Sequence, residues 1–86
     1  MPRYFFDLTD NGQYFRDPEG TSLESLEKAR DEALLTLAHI ARDKLPDGDH
    51  HDFVLDVREG DDVVLTASLS LRVERKAQPH QSAIMP

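Results

Sequence analysis

Tyr4-Phe5-Phe6-Asp7-Leu8-Thr9-Asp10-Asn11-Gly12-Gln13-Tyr14-Phe15 reads as a strand, a tight turn and the start of a second strand. Tyr4, Phe6 and Leu8 alternate with Phe5 and Asp7, the period of a half-buried strand. Asn11-Gly12 is the preferred pair for a two-residue type I′ turn, because both positions need a positive φ. Such a turn sets Asp10 opposite Gln13 and Leu8 opposite Phe15. Phe15 then falls on the face that carries Tyr4, Phe6 and Leu8, so turn chemistry and apolar parity agree.

Working outward, Asp17-Pro18-Glu19-Gly20 suits a turn with Pro at its second position, where the fixed φ is already correct. Thr21 or Ser22 is expected to cap the next helix, with Glu24 at capping-box spacing from Thr21. The helix should run to about Leu45 and stop at Pro46 and Gly48. Its apolar half holds Leu23, Leu26, Ala29, Ala33, Leu34, Leu37, Ala38, Ile40, Ala41 and Leu45, which predicts a surface helix lying on a sheet.

Phe53, Leu55 and Val57 alternate in a third strand, and Val63, Leu65, Ala67, Leu69, Leu71 and Val73 in a fourth. Keeping both sets on one face sets Val57 opposite Val63 and Leu55 opposite Leu65. That leaves the loop Glu59-Gly60-Asp61, with its last position left-handed. The fold class is α+β, ββαββ, with one helix on a four-stranded antiparallel sheet. Strand 1 is apolar on both faces and strand 2 is short and polar. The spatial order second-first-third-fourth is therefore favoured over first-second-fourth-third. Residues 1–75 form the domain, and 76–86, without periodicity, read as a disordered tail.

Eighty-six residues with no cysteine exclude disulfides, thiolate metal sites and cysteine nucleophiles. The apolar stretch near the N-terminus is too short for a secretory leader. No apolar run approaches the roughly 20 residues that cross a bilayer, so the expectation is a soluble cytoplasmic protein with no membrane partner. The net charge is -7, and residues 47–62 concentrate it, with seven acids against Arg58 alone. No basic stripe with interleaved aromatics offsets that acid, so nucleic acid is not an expected partner.

Arg3-Tyr4-Phe5-Phe6-Asp7-Leu8, then Asp17-x-Glu19-Gly20, then Leu26-Glu27-x-Ala29-Arg30-x-Glu32-Ala33 resembles the DUF6894 type of small bacterial proteins. The resemblance covers residues 2–33 closely and residues 52–73 as a pattern. It implies a unit of this size and a bacterial host. It implies no activity, cofactor or catalytic residue.

The residues themselves offer four candidate sites. Asp47, Asp49, His50, His51 and Asp52 supply carboxylates and imidazoles that could hold a divalent metal. The spacing is not that of a calcium loop, and adjacent histidines on extended backbone point opposite ways. A solvated acidic connection is the plainer reading. Arg30 falls at the centre of the helix's apolar half, where a cation must pair or reach out to water. Glu27, Asp17 and Glu19 are its expected partners in a structural clamp; anion binding is the other reading. Asp7, Tyr14, Asp56, Arg16 and Arg58 could make a polar patch on the outer sheet face. No nucleophile, base and orienting group come together there, so no catalysis and no cofactor are expected.

The fourth site is a surface. Phe5, Val54 and Val64 are apolar on the outer face, and in this register Leu69, Leu71 and Val73 overrun the third strand without a partner, which sets the expected contact near Leu69, Ser70 and Leu71. An apolar free edge invites pairing with a second copy or with an unknown protein. The sequence therefore reads as a small non-catalytic interaction module that self-associates. The alternative is a small-molecule or metal-binding protein using the 47–52 loop.

Overall fold

The computed structural model describes residues 1–77. The chain runs β1 (Arg3–Asp10), β2 (Gln13–Phe15), β3 (Thr21–Ser22), α1 (Leu26–Lys44), β4 (His50–Glu59) and β5 (Asp62–Arg72). Every strand pair is antiparallel, and the sheet order is β2-β1-β4-β5, with β3 also paired to β1. This is the expected α+β architecture in the favoured order, with one short strand added. Beyond Lys76 and Ala77, the stretch read as a tail lies outside the described residues.

The first hairpin follows its turn chemistry. Asn11 and Gly12 have φ of 49° and 94°, and Leu8 pairs with Phe15. Thr21 and Ser22 do not cap the helix. They pair with Tyr4 and Arg3 as β3, which delays the helix to Ser25. The Ser25 hydroxyl oxygen accepts the Lys28 N–H at 3.2 Å, and Glu27 and Lys44 complement the two ends of the helix dipole. The extended backbone of 21–22 answers the open edge of β1, a tertiary gain that outweighs a capping box.

The second hairpin departs from the expected register. Glu59 pairs with Asp62 around a two-residue turn in which Gly60, at φ 63°, takes the left-handed position expected of Asp61. Val57 then faces Leu65 while Arg58 faces Val63, so Val64 is the extra residue of a bulge. The turn and the bulge each move the pairing by one, two in all: Leu55 faces Ala67, and Phe53 faces Leu69. Because β4 also starts at His50, Leu71 pairs with His51, and the expected overrun of β5 past its partner does not occur. Gly at the left-handed turn position costs less than Asp there, and that choice resets the ladder.

The core lies between α1 and one sheet face: Tyr4, Phe53, Leu55 and Val57 below, Ala29, Ala33, Leu37 and Ala41 above. The helix residues form a strict i+4 row. Four residues at about 100° each overshoot a turn by about 40°, so this contact line winds around the helix as it crosses the sheet. Leu26 and Leu34, expected inside, are consequently exposed, Leu34 at 45%. Small side chains at 29 and 33 let the helix settle close to the strands. Ala33→Leu should cost about 1–3 kcal/mol by overpacking, whereas Leu34→Ala should stay within about 0.5 kcal/mol. Urea denaturation of the two variants beside the parent checks this pair of outcomes.

Candidate functional site

Burial of charge marks one place on the outer sheet face. Asp7 and Arg58 are both buried, and Arg58 Nε donates to Asp7 Oδ2 at 2.6 Å. The other two guanidinium nitrogens donate to the Gly60 carbonyl at 3.0 Å and the Asp17 carbonyl at 3.1 Å. Asp7 Oδ1 accepts the Asp17 N–H at 2.9 Å. The Asp17 carboxylate in turn accepts the N–H of Phe6 on one oxygen and those of Glu19 and Gly20 on the other. One arginine therefore joins β1, the 16–20 turn and the β4–β5 turn. Its guanidinium also lies 4.4 Å from the centre of the Phe5 ring.

Gly20 completes the arrangement. It has φ 70°, and a Cβ there would sit 2.8 Å from the Phe5 ring and 2.9 Å from the Tyr4 carbonyl. The turn can approach the sheet this closely only without a side chain. Burial opposes ionisation of Asp7, but the Arg58 hydrogen bond, the Asp17 N–H and the Arg58 charge outweigh it and hold the carboxyl below its ordinary value. Asp17 is likewise lowered: burial opposes, and the N–H groups of Phe6, Gly20 and Glu19 prevail. Arg58 is raised, chiefly by its bond to Asp7.

The clamp expected at Arg30 is thus made by Arg58. Arg30 is 54% exposed and pairs with Asp31 at 3.2 Å, not with Glu27, Asp17 or Glu19. It sits about 100° around the helix from Ala29, which is where the winding contact line touches the sheet at that level. Glu27 is exposed, and Glu19 meets the strand through its carbonyl, which accepts from Arg3.

The 47–52 segment divides between the two sheet faces. His50 and Asp52 lie outward, 3.2 Å apart, and Asp52 also accepts from Ser70. That Ser70 bond, opposed by some desolvation and helped by His50, lowers the Asp52 carboxyl. The carboxylate stands between serine and histidine, so the His50 ring meets Asp52 and not the serine hydroxyl. Asp49 pairs with Arg75. His51 is not solvated, as a loop reading requires; its side chain is 4% exposed and stacks on Phe53 at 4.3 Å. Its Nε2 lies 2.5 Å from Asp10. Among the described residues no three His, Asp or Glu side chains converge as a metal would need.

On the proposed contact surfaces, Phe5 is half-buried beneath Arg58, and Val54 and Val64 are separated by the Asp56–Thr66 hydrogen bond. Leu69, Ser70 and Leu71 lie on β5, an edge strand.

These features define a one-helix, antiparallel-sheet domain stapled through a buried arginine–aspartate pair. The chain belongs to the family described as a domain of unknown function, DUF6894, which it matches over residues 3–70. No curated protein and no solved structure matches it. Among the described residues, no helix is long and apolar enough to cross a membrane.

Two outcomes follow for the clamp. Asp7→Ala strands a buried guanidinium and should cost about 3–5 kcal/mol, while Arg30→Ala, at the surface, should stay within about 0.5 kcal/mol, both read from urea midpoints. Asp7 and Asp17 are depressed below 3.8, so their stabilisation is complete above that value and is lost as pH falls through the lower folded values. Urea midpoints should therefore hold near neutral pH and drop below about pH 4, with a shallower drop in Asp7→Asn.

Proposed function

We propose that the protein is a non-catalytic interaction module that associates with a second copy of itself through the outer edge of β5. The observation that carries this is the character of that edge. β5 is eleven residues long, and among the described residues no strand lies on its outer side. Val63 to Leu71 contain no charge, no proline and no glycine, in a chain of which 31% is charged. Edges of monomeric sheets are usually short, charged or bent away, and this one is none of these along most of its length.

The backbone is presented for pairing. Val73 donates its N–H to the Asp49 carbonyl at 2.7 Å. Hydrogen bonding alternates along an antiparallel ladder, so Leu65 to Leu71 turn their odd-numbered amides toward β4. Thr66, Ser68, Ser70 and Arg72 turn theirs to the free side. A two-fold axis through Ala67 would set Leu65 beside Leu69 of the other copy on the helix face.

The outer-face alternative through Phe5, Val54 and Val64 has less support, because Arg58 and Gly20 already occupy Phe5. Sedimentation at micromolar concentration tests the edge. The parent should be dimeric and Ser68→Pro monomeric, since Ser68 offers an outward amide and its side chain makes no hydrogen bond among the described residues. A monomeric parent, or a dimer that Ser68→Pro leaves intact, would overturn the reading.

A further inference from the structure

The helix buries one side and leaves the other bare. Ala29, Ala33, Leu37 and Ala41 meet the sheet, while Lys28, Asp31, Leu35, Ala38 and Arg42 are exposed. At about 100° per residue these five lie within about 80° of one another, and Leu35 stands about 180° from the middle of the buried row. Leu35 is 59% exposed. A groove of about 150 Å³ lies beside it, lined by Leu35, Ala38, His39 and Arg42, a volume that admits a small apolar group.

Spacing along this face is the informative feature. Positions 28, 31, 35, 38 and 42 step by three and four in turn, the spacing of a seam between paired helices. Leu35 and Ala38 make its middle, with Asp31 on one side and Arg42 on the other. Turned end for end about an axis between positions 36 and 37, the row matches itself. Leu35 falls opposite Ala38 and Asp31 opposite Arg42, each of them twice. A parallel arrangement would instead set Asp31 on Asp31 and Arg42 on Arg42, so charge selects the antiparallel one. Asp31 already meets Arg30 at 3.2 Å, but both side chains are more than half exposed, and a pair of that kind holds its acid weakly. Arg42, in the last turn, makes no ion pair among the described residues.

We propose that α1 pairs antiparallel with α1 of a second copy through this face. Leu35 of each copy enters the groove of the other beside Ala38, whose single methyl lets the helices come close. Asp31 of each meets Arg42 of the other. The contact uses the helix layer and not the β5 edge, so it is a second two-fold surface that stands whether or not the first does. Where both operate, dimers join to dimers. One leucine and one alanine per copy make a short seam, so it forms at high protein concentration.

The chain has no cysteine, so single thiols report the geometry. In this pairing the two copies of residue 38 stand about 4–5 Å apart along the helix axis, and those of residue 32, on the flank, about 14 Å apart. Both sites are exposed. Under mild oxidation of the full chain at high concentration, Ala38→Cys should form a disulfide dimer about tenfold faster than Glu32→Cys. Asp31→Arg added to Ala38→Cys sets like charges together and should slow it about fivefold, and Arg42→Asp on top should restore the rate. Ser68→Pro should leave the rate unchanged, so failure of the strand edge and failure of the helix seam are read separately. Equal rates at 38 and 32, no effect of Asp31→Arg, or no rescue by Arg42→Asp would each overturn the proposal and leave the groove to a different occupant. A rate that falls with Ser68→Pro would overturn the independence of the two surfaces.

Discussion

The Asp7–Arg58 pair is the constraint on which the rest of the architecture hangs. A buried charge is tolerated only when its partner is close and its remaining hydrogen-bonding capacity is used. Here the guanidinium uses all three nitrogens, on β1, on the 16–20 turn and on the β4–β5 turn. The requirement fixes more than one distance. The turn must pass over the outer face within reach of Arg58, which demands Gly20 against Phe5. Asp17 must then face back toward β1, where it answers the Phe6 amide between the stretches paired to β2 and β3. A single strand edge is thereby covered by two short ladders and one side chain.

That arrangement leaves the two faces of the sheet with different chemistry. The helix face is dry around Phe53, Leu55 and Val57. The outer face is covered near Phe5 by the clamp and elsewhere carries polar pairs, Asp56 with Thr66 and Asp52 with Ser70. Residues 3–20 that carry the family pattern fall largely on this clamp.

Much of this was legible in the residues. Asn11-Gly12 with alternating aromatics was enough for the first hairpin, since only one register satisfies both turn and parity. Sheet order followed from strand 1 being apolar on both faces. The clamp was not legible, because Asp7 and Arg58 are 51 residues apart and meet through a register that no local period encodes. His51 could have been placed: it shares the parity of Phe53, Leu55 and Val57, and extending that alternation by one step puts it on the helix face. Arg30 misled because an average helical face was drawn where the contact line winds. The β4–β5 register turned on which of Gly60 and Asp61 takes the left-handed position, a local choice that moved every later pair.

The β1–β4 ladder joins parts of the chain unlike those joined by the other ladders. β1 with β2 and β3, and β4 with β5, close across short stretches, whereas β1 and β4 meet only after the whole helix has been bridged. The entropic cost of closing a loop rises with its length, so this ladder is the expensive one to form. The Asp7–Arg58 bond spans it. Were that seam to part, each hairpin would keep its own hydrogen bonds, but β1 and β4 would each present a long bare side. A sheet with two edges, the short one at β2 and β3 and the long one at β5, would gain two more, and the same pair that locates the turn therefore also stands between the folded chain and indiscriminate sheet growth.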